Sequence, residues 1–206
     1  MIMMEINAPT YPARPINGGP LEKALPKRGL WAWEPKYNEW RTLIHVPTGT
    51  MWNRHLAPLS IADKFKEALR QLRSTGLVWV DAGAMERRHD LGRGTIIVFD
   101  YVPMVGDELQ NLPYVERRRI LCSLLGIHRW FGPIPDDTAI LTGTHTFDEG
   151  DAGTVMDLWE GLKQFNKRIG VEFYEGLVAK RLNSGYPVQL RSPTVETHLW
   201  MKHRFI

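Results

Sequence analysis

Short strand-like segments separated by helix-length apolar stripes constrain the fold of this chain most. Leu30 to Trp33, Thr42 to Val46 and Thr50 to Asn53 read as strands, with a Pro47-Thr48-Gly49 turn between the last two. Leu77 to Val80 and Thr95 to Val102 are rich in β-branched and aromatic residues and read the same way. Gly176 to Arg181 and His198 to Phe205 close the series. Between them lie helices. Ser60 is placed to cap one, with Asp63 three residues on; Ile61, Phe65, Ala68, Leu69 and Leu72 form its apolar face, and Gly76 follows its end. A second runs from Pro113 to Leu125, with Pro113 in its first turn and Gly126 after it. A third covers Thr154 to Arg168, where Val155, Leu158, Trp159, Leu162 and Phe165 make a stripe that ends at Gly170. Residues 8–29 are rich in proline and glycine and are expected to be irregular. The pattern predicts one α+β domain built on antiparallel sheet, spanning 30–206 behind an irregular segment 1–29.

Charged residues sit inside or beside these strands, where a plain core would have none. Lys36 lies in Glu34-Pro35-Lys36-Tyr37-Asn38-Glu39-Trp40-Arg41. In order after it come Asn53-Arg54, Val80-Asp81-Ala82-Gly83, Ile96-Ile97-Val98-Phe99-Asp100-Tyr101, Glu175-Gly176-Leu177-Val178-Ala179-Lys180 and Trp200-Met201-Lys202-His203-Arg204. Alternation along a strand puts Phe99 and Tyr101 on one face and Asp100 on the other. It likewise puts Glu175, Leu177 and Ala179 on one face, with Gly176, Val178 and Lys180 opposite. Lys202 and Arg204, two apart, point to one side. Taken singly, each piece has an ordinary explanation: a solvated lysine, a packed aromatic, an exposed basic edge.

The ordered series resembles the motifs of the covalent nucleotidyltransferases, the superfamily of ATP-dependent DNA ligases, RNA ligases and mRNA capping enzymes. The resemblance covers residue 30 to the C-terminus. It implies an ATP-grasp-like nucleotidyltransferase domain, with antiparallel sheets flanked by helices and a nucleotide cleft between them. It also implies that the Lys36 amine attacks the α-phosphate of ATP. An isolated lysine has a pKa of about 10.4, so nearby cations and partial burial would have to favour the neutral amine. Arg41, Lys180 and Lys202 are the implied catalytic partners. Glu34, Arg54, Phe99 and Arg204 join them as nucleotide-binding residues: Glu34 near the adenine amino group, Arg54 on ribose or phosphate, Phe99 stacked on the base. Glu175 is the implied magnesium ligand, and ATP and Mg2+ the implied cofactors.

Three positions depart from the family pattern. Lys-x-Asp-Gly-x-Arg reads Lys36-Tyr37-Asn38-Glu39-Trp40-Arg41, so an aspartate becomes Asn38 and a glycine becomes Glu39. Asp-Gly-Glu reads Asp81-Ala82-Gly83, so a glutamate is missing, and Glu86 is the candidate to stand in for it. Asp81 itself is expected to hydrogen-bond nearby amides.

Composition narrows the class without choosing the activity. With 26 basic and 23 acidic residues the net charge is +3, compatible with a polyanionic partner. The single cysteine, Cys122, excludes an internal disulfide and a multi-cysteine zinc site, and its apolar surroundings read as core. No apolar run is long enough to span a bilayer, and the first residues lack the features of a signal peptide, so a monomer of the reducing cytoplasm is expected. The chain stops at Ile206, just after the last motif, so no OB-fold domain is expected within it; it resembles an isolated nucleotidyltransferase domain, whether a minimal enzyme, a fragment, or one half of a complex whose partner supplies the OB-fold. The leading expectation is a polynucleotide ligase acting on nicked DNA. An RNA ligase and a ligase-derived binding module that has lost catalysis remain open. Arg87-Arg88 and Arg117-Arg118-Arg119 are a candidate nucleic-acid footprint or simply solvated helix faces.

Overall fold

The computed structural model describes residues 6–23, 31–86, 90–104, 111–125, 141–143 and 152–205. Gly126 and the Arg87-Arg88 pair lie outside them. Two sheets carry the domain. The first has the strand order β1-β9-β8-β2, with β1 at Arg14–Asn17, β2 at Trp31–Tyr37, β8 at Tyr174–Arg181 and β9 at Glu196–Arg204. The second has the order β4-β3-β5-β6-β7, with β3 at Trp40–His45, β4 at Thr50–Trp52, β5 at Trp79–Ala84, β6 at Ile96–Tyr101 and β7 at Leu141–Gly143. Pairing is antiparallel except at two edges, where β1 lies parallel to β9 and β7 parallel to β6.

The expected strands are present, and so are two that the sequence did not announce. β1 falls in the segment expected to be irregular. It is an edge strand, where Pro15 is tolerated because one side of an edge needs no donor, and a single 3₁₀ turn at Leu21–Lys23 follows it. β7 is only three residues long.

Helices α1 (Lys66–Arg73), α2 (Tyr114–Leu125) and α3 (Ala152–Ile169) correspond to the three expected helices. Ser60 does not cap the first. A 3₁₀ turn at Ala62–Phe65 precedes α1, and neither helix start has a side-chain cap. The apolar stripe itself holds this segment: Ile61, Phe65, Ala68, Leu69 and Leu72 are all buried against the five-stranded sheet. α3 lays Val155, Trp159 and Leu162 on the four-stranded sheet, over Trp31, Trp33, Leu177 and Ala179. A third cluster, including Leu43, Trp79, Tyr186 and Trp200, joins residues of both sheets. Cys122 is half-buried on α2 rather than in the core.

The basic triplet on α2 is not a solvated face. Arg117 is fully buried and Arg118 nearly so; Arg119 alone is exposed, paired with Glu116 on its own helix. Arg117 is drawn inward by Asp100 of β6, which accepts two hydrogen bonds from it at 3.0 and 2.9 Å.

Gly176 shows why one motif position must be glycine. Its φ is +145°, and a Cβ there would lie 1.9 Å from the His203 carbonyl oxygen of β9. Gly176→Ala therefore forces β8 and β9 apart beside the cleft. A loss of about 3 kcal/mol or more is expected in urea unfolding, since backbone strain and a backbone clash add. A loss under about 1 kcal/mol would show that the strands can separate freely at this point.

Candidate active site

A cleft of about 650 Å³ opens between the two sheets, a volume ordinary for a small-molecule site. Glu34, Lys36, Arg41, Arg54, Phe99, Glu175, Lys180, Lys202 and Arg204 all line it. The structure therefore gathers these nine residues into one cavity, although they come from different sheets and loops, while Glu86, the other candidate, does not line it. Their individual engagements differ from simple expectation.

Lys36 sits on β2 opposite Gly176 of β8. Its Nζ lies 2.5 Å from Glu175 Oε2, and Arg204 Nε reaches the same oxygen at 3.3 Å. Strict alternation would have turned Glu175 to the core with Leu177 and Ala179. A β-bulge prevents this: Lys36 pairs with Gly176 but Tyr37 pairs with Tyr174, so Glu175 is the extra residue. The bulge re-aims its carboxylate into the cleft.

A second bulge acts on Phe99. Asp81 pairs with Asp100 and Ala82 with Val98, leaving Phe99 as the extra residue of β6. Phe99 lines the cleft, while Tyr101 turns to the core of the five-stranded sheet, so the two do not share a face as alternation predicted.

Lys180 lies at the cleft floor, almost completely buried. It donates to the Phe99 carbonyl at 3.0 Å, pairs with Glu34 at 3.0 Å, and stands 4.3 Å from the Trp200 ring centre. Glu34 is equally buried, and its other oxygen accepts from the Tyr114 hydroxyl of α2. Both groups are thus committed within the protein, and the floor links β2, β6, β8 and α2.

Arg41 and Asp81 form a bidentate pair at 2.9 and 2.5 Å, with the Tyr186 hydroxyl donating to Asp81 at 2.8 Å. Burial opposes charge on Arg41, but the Asp81 carboxylate outweighs it and raises the Arg41 pKa. Asp81 therefore anchors a cleft arginine rather than loop amides, because a fully buried carboxylate needs a charged partner. Nothing in the local sequence signals the pairing, which depends on the register of β3 against β5. Lys202 is held by the Pro15 carbonyl of β1 at 3.0 Å and by Glu196 at 3.4 Å, and burial lowers its pKa. Arg54 lies exposed on the turn after β4, its Nε 3.0 Å from His55 Nε2.

The departures from the motif pattern have local reasons. Asn38 donates its amide to the Glu172 carbonyl at 2.9 Å, a bond that an ionised aspartate could not make. Glu86 does not stand in for the missing glutamate: it pairs with Lys64 and is not among the cleft-lining residues. Glu39 does line the cleft, and was not among the residues singled out as functional. Burial pushes its carboxyl up to about 7, although Lys36 and Arg41 favour the ionised form.

Among the described residues, no group of three or more His, Cys, Asp and Glu side chains could hold a metal. Glu175 offers a single carboxylate. That donor set fits magnesium only when phosphate oxygens and water complete the shell, as when the ion arrives on a nucleotide. No helix among the described residues is long and apolar enough to cross a membrane.

No protein-family profile matches the chain, and no curated protein sequence matches it. Solved structures do. The ligase domain of M. tuberculosis LigD is 18% identical, with a TM-score of 0.61 over 95% of this chain and 59% of that one. Chlorella virus DNA ligase-adenylate is 12% identical, with a TM-score of 0.57 over 96% of this chain and 68% of that one. A mycobacterial DNA ligase D complexed with ATP and MES is 18% identical, with a TM-score of 0.57 over 95% and 60%. The chain thus spans about three fifths of the length of the LigD chains. At these identities the likeness establishes the fold alone: an α+β arrangement of antiparallel sheets and helices shared with the domains of ATP-dependent DNA ligases.

Proposed function

We propose that this chain, which has the nucleotidyltransferase fold of ATP-dependent DNA ligases, transfers AMP from magnesium-bound ATP to Lys36, then to the 5′-phosphate of a nicked polynucleotide, DNA in the first instance. The observation that carries the proposal is the Lys36–Glu175 contact of 2.5 Å in a cleft that also presents Phe99, Arg54, Lys202 and Arg204. An amine nucleophile needs a group to take its proton, and Glu175 is already in hydrogen-bond reach. In the first step Lys36 Nζ forms a bond to the α-phosphorus as the bond to the pyrophosphate oxygen breaks; the Nζ proton passes to Glu175 and pyrophosphate leaves. In the second, a 5′-phosphate oxygen displaces Lys36. In the third, a 3′-hydroxyl attacks the activated phosphate, its proton is lost, and AMP departs.

Arg204 steadies Glu175 while Lys36 is engaged elsewhere. Phe99 offers a ring for base stacking, a contact of roughly 1–3 kcal/mol. Magnesium on the ATP would neutralise phosphate charge and be reached by Glu175.

A second reading is a nucleotide-binding module without catalysis. It is favoured by the commitment of Arg41 to Asp81, Lys180 to Glu34 and Lys202 to the Pro15 carbonyl. Incubation with α-labelled ATP or GTP and magnesium, followed by denaturation, separates the two. Label from ATP, little from GTP, and discharge onto nicked DNA support the ligase. Discharge onto nicked RNA alone makes it an RNA ligase, and a chain that binds ATP but never labels is the module.

A further inference from the structure

We propose that Glu39 is the residue that receives the ribose hydroxyls of the nucleotide, occupying space that Gly83 leaves open on the adjacent strand. The assignment rests on the reading of the cleft as a nucleotide site. Glu39 immediately precedes β3, and Arg41, two residues on, pairs with Gly83 of β5. A Cβ built on Gly83 would lie 2.6 Å from Glu39 Cγ, 3.1 Å from Glu39 Cβ and 2.8 Å from Phe99 Cζ. The volume that any side chain at 83 would need is therefore filled by Glu39 and the Phe99 ring together. Relative to the resembled motif pattern, glycine and glutamate have exchanged places between these two positions, and the geometry gives the exchange a reason: one carboxylate fits here, from either strand.

The chemistry of the cleft narrows its role. Among the described residues, three carboxylates line the cavity, and two are engaged: Glu34 by Tyr114 and Lys180, Glu175 by Lys36 and Arg204. Glu39 has no hydrogen-bond or ion-pair partner among the described residues, so its acceptor sites are available to a ligand. Glu39 and Phe99 crowd the same point above Gly83, so a base stacked on Phe99 would have the Glu39 carboxylate as a neighbour. Vicinal hydroxyls are suited to such a carboxylate, which accepts from both; acidic side chains take ribose hydroxyls in the same way at dinucleotide sites.

Calorimetry on the Lys36→Ala chain, where no covalent step can intervene, tests this with ATP and 2′,3′-dideoxyATP. The parent is expected to prefer ATP. Glu39→Ala and the isosteric Glu39→Gln should weaken ATP by about tenfold to a hundredfold and leave the dideoxy analogue nearly unchanged. Gly83→Glu alone should lose both stability and ATP affinity, since two side chains then contend for one space. Adding Glu39→Gly to it should restore both, a strongly non-additive pair. A ribose preference that survives Glu39→Ala and Glu39→Gln overturns the assignment, as does a double variant no better than Gly83→Glu alone. A parent chain that binds no nucleotide overturns the assignment and the nucleotide-site reading together. By contrast, a wild-type chain that never labels yet shows a ribose preference set by Glu39 sinks the transferase reading and upholds this one.

Discussion

Lys36→Ala is expected to abolish the AMP-labelled band and leave the fold intact. Among the described residues, no other amine lining the cleft is placed to substitute. Lys180 is buried and bound to Glu34 and the Phe99 carbonyl, and Lys202 is tied to Pro15 and Glu196. The structural cost should be small: the Lys36–Glu175 pair is partly solvated, and Arg204 still neutralises Glu175 when the lysine is gone. Pairs of that kind contribute about 0–1 kcal/mol. Lys36→Arg is the sharper control. It keeps the positive charge beside Glu175 but cannot lose a proton to become a nucleophile, so it should bind ATP and fail to label. Full labelling of Lys36→Ala, with the modified peptide mapped elsewhere, would remove Lys36 from the reaction.

The sequence revealed the helices and most strands because their signals are local. The stripe from Val155 to Phe165 and the one from Ile61 to Leu72 each bury the predicted face. The ordered polar residues also converge on one cleft. What sequence periodicity could not give was side-chain direction at the two bulges. A period of two fails wherever one strand carries an extra residue, and here the extra residues are Glu175 and Phe99, both lining the cleft. Partnership between distant charges was equally hidden. Arg41 with Asp81 and Arg117 with Asp100 are set by strand register and helix docking, and neither leaves a local pattern. Arg117, inside a basic triplet, even carries the composition of a surface. Glu39 was visible only as a departure from a motif, and its relation to Gly83 needs the β3–β5 register.

The buried Arg117–Asp100 pair leads to the largest stability effect. Asp100→Ala should cost about 3–5 kcal/mol, because it strands a fully buried guanidinium without its counter-ion. Total stabilities are commonly about 5–15 kcal/mol, so the loss would be a large fraction of the whole. Arg119→Ala, two residues away and exposed, should change stability by less than about 0.5 kcal/mol. The contrast is testable by urea denaturation of the two variants side by side. The damage should also reach the cleft. Arg117 donates to the Ser184 carbonyl beyond β8 while holding Asp100 on β6, so one side chain ties the two sheets together. Tyr114, one turn earlier on α2, reaches Glu34 on β2, which in turn holds Lys180. Loosening α2 therefore releases the floor on which Phe99 and Lys180 sit, and ATP affinity should fall in Asp100→Ala even under conditions where the chain remains folded. Pairing Asp100→Leu with Arg117→Met removes both charges at once and should recover most of the stability, since apolar replacement of a buried pair is often neutral. It should not recover ATP affinity fully, because replacing Arg117 also removes its tether to the Ser184 carbonyl. A double variant as unstable as Asp100→Ala would show that the hydrogen bonds from Arg117 to the Leu112 and Ser184 carbonyls, rather than charge balance, hold the helix in place.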